Sequence, residues 1–227
     1  MLTPTSTDEQ IREIKRQFRK AMNGIVAASM REKGMAYRVN FGLTLPLLKR
    51  IASTVTPDKT LAQRLWEEPV RESKLLATWL YPAEEMELAT ARQWVEAIPY
   101  TEVADVCCMN LFCHIVGAEQ LASDCIDAVD DLPRYTGYQL WSRLLVQKYT
   151  PSDEEARHLI SDYIDLMRGT APAYLLAVAT GCMKRLAAVS PQRASEIQQR
   201  IPTAEVPDTR RALLADIDEE CRFLQGE

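Results

Sequence analysis

The sequence lacks the features of several protein classes. No apolar run approaches the roughly 20 residues that a transmembrane helix needs, and 26% of the 227 residues are charged, so we expect no membrane span. The N-terminus has no basic segment followed by an apolar one, which predicts a cytoplasmic protein without a secretory signal. β-Branched alternation does not persist anywhere and no Gly/Ser linker is present, so the sequence predicts neither a sheet nor a flexible joint between domains.

The cysteines lack the spacing of a metal site or a redox motif. None of the six forms a C-x-x-C pair, and the adjacent Cys107 and Cys108 would point about 100° apart on a helix. His114 beside Cys113 does not complete a ligand set, because one histidine with scattered cysteines lacks zinc-ligand spacing. We therefore expect no metal, and reduced thiols packed as small apolar side chains.

Charge is unevenly distributed along the chain, although the net charge is −5. Residues 1–56 hold 10 Lys and Arg against 4 Asp and Glu, whereas residues 57–227 hold 17 against 28. The acidic total argues against indiscriminate DNA binding, but a local surface that contacts phosphates remains compatible with it. The basic run in the first quarter, which spans two helix turns, is interpreted as a solvated helix face; it comprises Lys15, Arg16, Arg19 and Lys20.

Helical periodicity covers nearly the whole chain. Apolar residues recur at steps of three and four, and prolines stand where helices would begin, since the fixed φ of proline suits a first helical turn. Ser152 and Glu155 form a capping-box pattern. The predicted helices are 7–33, 46–56, 59–68, 70–80, 83–97, 101–116, 118–130, 136–149, 153–168, 172–189, 191–200 and 207–224.

Successive short helices with tight turns predict an all-α fold of the HEAT-like αα-repeat type, a superhelix in which each pair buries its apolar face against the next. We expect one such domain over 1–227, with an N-terminal helix at 1–33, a core at about 35–195 and C-terminal helices at 196–227. An irregular helical bundle is the alternative. The tryptophans at 66, 79 and 94 are expected in the core.

Four landmarks in a fixed order carry a resemblance to a known family. They are Phe41-Gly42-Leu43 followed by Pro46 and the basic helix LKRIA; the pattern of Leu65, Trp66, Pro69, Glu72, Leu76 and Ala77; the helix from Trp94 to Ile98 followed by Tyr100 to Asp105; and Gly181 through Arg185 before Ser190-Pro191. Together they resemble the DNA alkylation repair family, the AlkD-like HEAT-repeat DNA glycosylases, over about residues 35–195.

The resemblance implies a function and a mechanism. Members of this family cradle duplex DNA on a concave face and excise cationic alkylated purines such as 3-methyladenine and 7-methylguanine, without a metal or other cofactor. The catalytic acid of the family pattern falls on Asp105. Elementary chemistry agrees, because an oriented carboxylate stabilises the oxocarbenium-like sugar left when a cationic purine departs.

The sequence departs from the family pattern at three positions. Thr101 stands where the family has an aromatic residue four before the acid, and Cys182 stands where a second aromatic is expected. Arg143 follows Trp141 by two residues instead of three. The sequence therefore has the acid of the family pattern but lacks the aromatic residues that the pattern places around it.

The candidate DNA-binding residues follow from the same resemblance; they are Tyr100, Thr101, Trp141, Arg143, Lys148, Cys182 and Arg185. The expected partner is double-stranded DNA, with no membrane and no metal. The alternative function is a non-catalytic HEAT-like module that binds a DNA structure or a protein partner. In that case Asp105 would be a buried, paired residue near a helix N-terminus, where an acid is favourable.

Overall fold

The computed structural model describes residues 6–200 and 206–226, and helices dominate this part of the chain. Its two 3₁₀ turns are Ala83–Glu85 and Phe112–His114. The α-helices are α1 Thr7–Lys20, α2 Gly24–Glu32, α3 Leu45–Ala52, α4 Lys59–Trp66, α5 Arg71–Leu80, α6 Leu88–Glu96, α7 Thr101–Asn110, α8 Ala118–Ile126, α9 Asp131–Val146, α10 Asp153–Arg168, α11 Ala173–Ala187, α12 Pro191–Arg200 and α13 Asp208–Gln225. Within these ranges the only β-pairing is one isolated bridge between Val39 and Val70, so the all-α prediction is confirmed.

The predicted helix 7–33 is wrong, because it is two helices. An Asn23-Gly24 pair, a turn signal that the sequence interpretation passed over, separates α1 from α2. The Asn23 side chain accepts hydrogen bonds from the backbone N–H groups of Ile25 and Val26, both at 3.2 Å. A side chain that caps a new helix competes with continuation of the old one.

Other boundaries differ from prediction as well. Helix α3 ends at Ala52 and α8 ends at Ile126, each four residues earlier than predicted. The segment 83–97 divides into a 3₁₀ turn and α6, because extended backbone at Met86 interrupts it and buries that side chain. The segment 101–116 ends as an α-helix at Asn110, after which Leu111 leaves helical geometry. Helix α9 begins five residues earlier than predicted and holds Pro133 in its first turn, where the missing N–H of proline has no helical partner to lose.

The helices group into two compact units, each with its own core. The first unit ends at Glu87 and also takes in Asn110–Val116, whereas the second comprises Leu88–Met109 and continues from Gly117. The single domain expected from the sequence stays a prediction. No helix of the described ranges is both long enough and apolar enough to cross a membrane.

A buried ion pair organises the first unit and explains two of the sequence landmarks. Arg71 and Glu72, 1% and 0% exposed, are joined by an Nη1–Oε1 contact of 2.9 Å. The Glu72 carboxylate also accepts the backbone N–H groups of Phe41, at 3.0 Å, and Leu43, at 3.2 Å. The Phe41-Gly42-Leu43 and Glu72 landmarks are therefore two halves of one contact.

Helix α9 lies at the centre of the second unit, where it packs against α8 and α11. Gly137 permits the close approach to α8, because a Cβ built there would lie 2.9 Å from the Ala122 carbonyl oxygen and from the Cys125 Cβ. Tyr138 and Trp141, one and four residues after Gly137 on α9, are also buried. This packing fixes which face of α9 remains available for function.

Candidate nucleic-acid site

Asp105 lies in the second turn of α7, half-buried between the buried Ala104 and Val106. Its Oδ1 accepts a hydrogen bond of 2.8 Å from the Tyr135 hydroxyl of α9. Its Oδ2 accepts no hydrogen bond from any residue in 6–200 or 206–226. One carboxylate oxygen is thus held in place while the other is free to face a ligand.

The surroundings of Asp105 act on its pKa in opposite directions. Burial is the largest effect and raises the pKa, because it disfavours the charged form. The hydrogen bond from Tyr135 and the positive charge of Arg143 lower the pKa, and Glu102 raises it slightly. The net result is a pKa above that of an ordinary aspartate, so Asp105 loses its charge at a higher pH than a solvated aspartate does.

Two tyrosines form an aromatic pair that reaches Asp105 through Tyr135, and sequence reasoning missed both. The rings of Tyr135 and Tyr174, on α9 and α11, have centroids 5.9 Å apart and planes inclined by 54°. Tyr174 is 44% exposed. Burial and the neighbouring Asp105 raise the pKa of Tyr135 far above its usual range, so it remains a hydrogen-bond donor at neutral pH. Neither tyrosine is close to Asp105 in sequence, so no local motif signals the cluster.

The basic candidates of the second unit are not neutralised by acids. Among the described residues, Arg143, Lys148 and Arg185 form no ion pair within 4 Å, whereas Lys184 pairs with Asp216 at 2.6 Å. Arg143 lies close enough to Asp105 to lower its pKa. Its charge therefore acts on the carboxylate and remains available to an anion.

Lys148 and Arg185 line the same open cavity, of about 320 Å³, at the C-terminal end of α9. Lys148 adopts a left-handed backbone with φ of 69°, a conformation that costs energy for a residue with a side chain. The Arg185 Nη1 donates to the Gly181 carbonyl at 2.7 Å. The structure thus brings two of the sequence candidates together as a pair of cations around one concavity.

Trp141 and Cys182 cannot serve as contact surfaces, because they are 1% and 0% exposed. The Trp141 ring packs beside Tyr149 with centroids 5.9 Å apart. Burial raises the pKa of the Cys182 thiol to about 12, so it stays protonated and inert at neutral pH. Since both side chains are buried, we leave them out of the interface.

Tyr100 and Thr101 lie at the start of α7 and are half-buried. The Tyr100 carbonyl accepts the N–H groups of Val103 and Ala104, at 3.0 and 3.3 Å, so this residue begins the helix. Thr101 precedes Asp105 by four residues and shares its helix face. Both remain candidates for the edge of the site.

The remaining sequence candidates lie outside this cluster. Lys15 pairs with Glu68, and Arg16 pairs with Glu13 at 2.7 Å, so two cations of the N-terminal run are neutralised. No group of three or more His, Cys, Asp or Glu in the described part of the chain is arranged to hold a metal ion.

Comparison with known proteins identifies a family and a fold. The DNA alkylation repair enzyme family matches residues 14–133. A solved structure from a new family of proteins related to the HEAT-like repeat DNA glycosylases, with affinity for branched DNA structures, superposes with a TM-score of 0.73. That match is 13% identical in sequence and covers 92% of this chain and 94% of the other. No curated protein matches.

The superposition confirms the predicted HEAT-like fold. The family match extends across more than half of the sequence and includes the first three landmarks and Asp105. The chain belongs to the DNA alkylation repair enzyme family.

Proposed function

We propose that this protein binds DNA through its second unit and releases cationic alkylated purines, with Asp105 stabilising the charge that develops on the sugar. The observation that carries the proposal is the state of Asp105: one oxygen is fixed by Tyr135 at 2.8 Å and the other accepts no hydrogen bond from the described residues. Since Asp105 is half-buried, this second oxygen is open to a ligand.

The chemistry requires little beyond this carboxylate. When the bond between C1′ and the purine breaks, its electron pair leaves with the base and neutralises the positive charge that the base carried. The sugar becomes an oxocarbenium-like cation, and a preorganised carboxylate in a partly desolvated site stabilises that charge more than water does. Water then adds to C1′, and its proton passes to Asp105 or to solvent.

The free cations support binding of the DNA backbone. Arg143, Lys148 and Arg185 are not paired with acids in the described structure, so they are available for phosphates despite the net charge of −5. Tyr100 and Thr101 complete the proposed interface beside Asp105. Double-stranded DNA that contains 3-methyladenine or 7-methylguanine is the proposed substrate, as the family resemblance implies.

The test compares the wild type with Asp105→Asn on methylated duplex DNA. We expect the wild type to release 7-methylguanine above the spontaneous rate and the variant to release none above it. DNA affinity should be unchanged or improved in the variant, because the lost negative charge repels phosphates before reaction but stabilises the transition state. Asp165→Asn, which changes an exposed acid of α10, is the matched control and should remain fully active.

A non-catalytic role in binding branched DNA is the second candidate. It is favoured by the affinity described for the superposed protein. It is also favoured by the two expected aromatic positions, since Thr101 has no ring and Cys182 has none and is buried. Under this function the wild type would release no base but would bind a four-way junction more tightly than a duplex. Raising the salt concentration should weaken that binding steeply, since phosphate contacts release counterions; salt-insensitive binding would instead indicate a protein partner.

A further inference from the structure

We propose that Tyr135 positions the Asp105 carboxylate and that Tyr174 supplies the aromatic surface against which the cationic substrate lies. This inference rests on the proposed base excision and assigns two residues to it. Thr101 has no ring and Cys182 is buried, so neither position offers an aromatic face to a ligand. The ring that contacts Asp105 is that of Tyr135 on α9, and the ring of Tyr174 on α11 packs against Tyr135.

Tyr135 acts through Asp105 and is therefore a positioning residue. Its hydroxyl donates to Oδ1 at 2.8 Å across a sequence separation of 30 residues. A carboxylate without this bond can rotate about its side-chain dihedrals, whereas a bonded one keeps Oδ2 directed away from the tyrosine. Preorganisation of this kind is what makes a charged group effective in a transition state, because it need not be reoriented during the reaction.

Tyr174 provides the accessible part of the cluster. Its side chain is 44% exposed, and its ring centroid lies 5.9 Å from that of Tyr135. The two rings therefore form an aromatic surface that extends from the tyrosine bonded to the carboxylate out to solvent. A ring face attracts a cation, and both an alkylated purine and an oxocarbenium-like sugar carry positive charge. The pairing of an exposed ring with a carboxylate selects for a positively charged ligand over a neutral base.

The electrostatic surroundings give the proposal a measurable signature. The charged and titratable groups near the cluster are Glu102 and Cys108 of α7 and Asp131 and Arg143 of α9. Among these contacts, the Tyr135 hydrogen bond opposes burial and lowers the pKa of Asp105. Removal of the Tyr135 hydrogen bond should therefore raise the pKa of Asp105 further, so that Asp105 becomes protonated closer to neutral pH.

The experiment for Tyr135 is Tyr135→Phe, which keeps the ring and removes the donor. Carboxyl ¹³C NMR of Asp105 should show its pKa rise, and the acid limb of the excision profile should move to higher pH by the same amount. The excision rate at neutral pH should fall about tenfold or more, as expected for loss of a hydrogen bond to a charged group. Tyr163→Phe, which removes a hydroxyl bonded to Thr180 at 3.2 Å, is the control and should leave both quantities unchanged.

The experiment for Tyr174 compares Phe and Ala at that position. Tyr174→Phe should retain wild-type kinetics, whereas Tyr174→Ala should lower kcat/KM by about 2- to 10-fold on a cationic lesion. Neither variant should change the pKa of Asp105, because Tyr174 does not form a hydrogen bond with the carboxylate.

Two results would overturn the inference while leaving base excision intact: an unmoved Asp105 pKa in Tyr135→Phe, or wild-type kinetics in Tyr174→Ala. A wild type that releases no base refutes the proposed function instead. In that case the Asp105 pKa still decides the role of Tyr135. Affinity for DNA carrying a cationic abasic-site analogue then decides the role of Tyr174, since an unchanged affinity in Tyr174→Ala refutes it.

Discussion

Replacing Glu72 by Gln should destabilise the first unit more than any surface substitution in it. The carboxylate is fully buried and bonds to Arg71 and to the backbone N–H groups of Phe41 and Leu43. Glutamine has the same shape but only one acceptor oxygen, and its NH₂ group would face a donor. The substitution also removes the negative charge opposite a guanidinium that is 1% exposed.

The expected cost follows from these contacts. Breaking a buried ion pair by removing one partner costs about 3–5 kcal/mol, which includes about 1–3 kcal/mol for each buried donor left without an acceptor. For a chain of this size such a loss lowers Tm by roughly 6–20 °C. Total stabilities of about 5–15 kcal/mol leave a folded but clearly weakened variant.

Urea denaturation followed by circular dichroism measures this loss. Hydrogen exchange resolved to peptides localises it, since the amides of Phe41 and Leu43 should exchange faster once their acceptor is gone. Glu67→Gln is the matched control, because Glu67 is exposed at the end of α4 and its change should stay within about 0.5 kcal/mol. The double variant Arg71→Met with Glu72→Leu should recover only the part of the loss that comes from an unpaired buried charge, since the amides of Phe41 and Leu43 still lack their acceptor.

Two outcomes would contradict this role of Glu72. If Glu72→Gln unfolds at the same urea concentration as the wild type and the amides of Phe41 and Leu43 remain protected, then the carboxylate does not hold this segment in place. A loss of stability without faster exchange at those two amides would place the cost elsewhere in the unit.

Two further predictions concern the second unit and the pH dependence of stability. Gly137→Ala should destabilise the protein by about 0.5–2 kcal/mol in urea denaturation, because overpacking against α8 costs about 1–3 kcal/mol and outweighs the roughly 0.5–1 kcal/mol gained in helix propensity. The control is Gly24→Ala, where the added methyl group meets nothing within 4 Å, and it should be neutral or stabilising. Equal effects at both sites would contradict the packing argument. Asp105→Asn should be more stable than the wild type at pH 7, and this difference in stability should disappear below about pH 4. Burial raises the pKa of Asp105 in the folded state. The stability that protonated Asp105 contributes is therefore complete below its pKa in the unfolded state and is lost as the pH rises through its pKa in the folded state. A wild type that is more stable than this variant at pH 7 would show that the charged carboxylate is favoured in the fold.

The sequence by itself determined what depends on near neighbours along the chain. The capping box at the start of α10 formed as predicted, with the Ser152 N–H donating to Glu155 at 2.7 Å and the Glu155 N–H donating to the Ser152 hydroxyl at 3.2 Å. Trp66 and Trp94 lie in the core, as their helical spacing predicted, whereas Trp79 is only half-buried. Where a local signal was overlooked, at Asn23-Gly24, the prediction failed. Caps, turns and apolar periodicity act over three or four residues, so the sequence contains them completely.

Only the tertiary structure decided which residues share a site. Tyr135 reaches Asp105 across 30 positions, and Glu72 reaches Leu43 across 29, and no local pattern links these residues. The sequence placed Trp141 and Cys182 on a DNA surface, but both side chains are buried. A helical period says which residues lie on one face, whereas the neighbouring helix decides whether that face is covered. Since successive residues differ by about 100° around a helix, a shift of one position is enough to exchange a contact surface for the core.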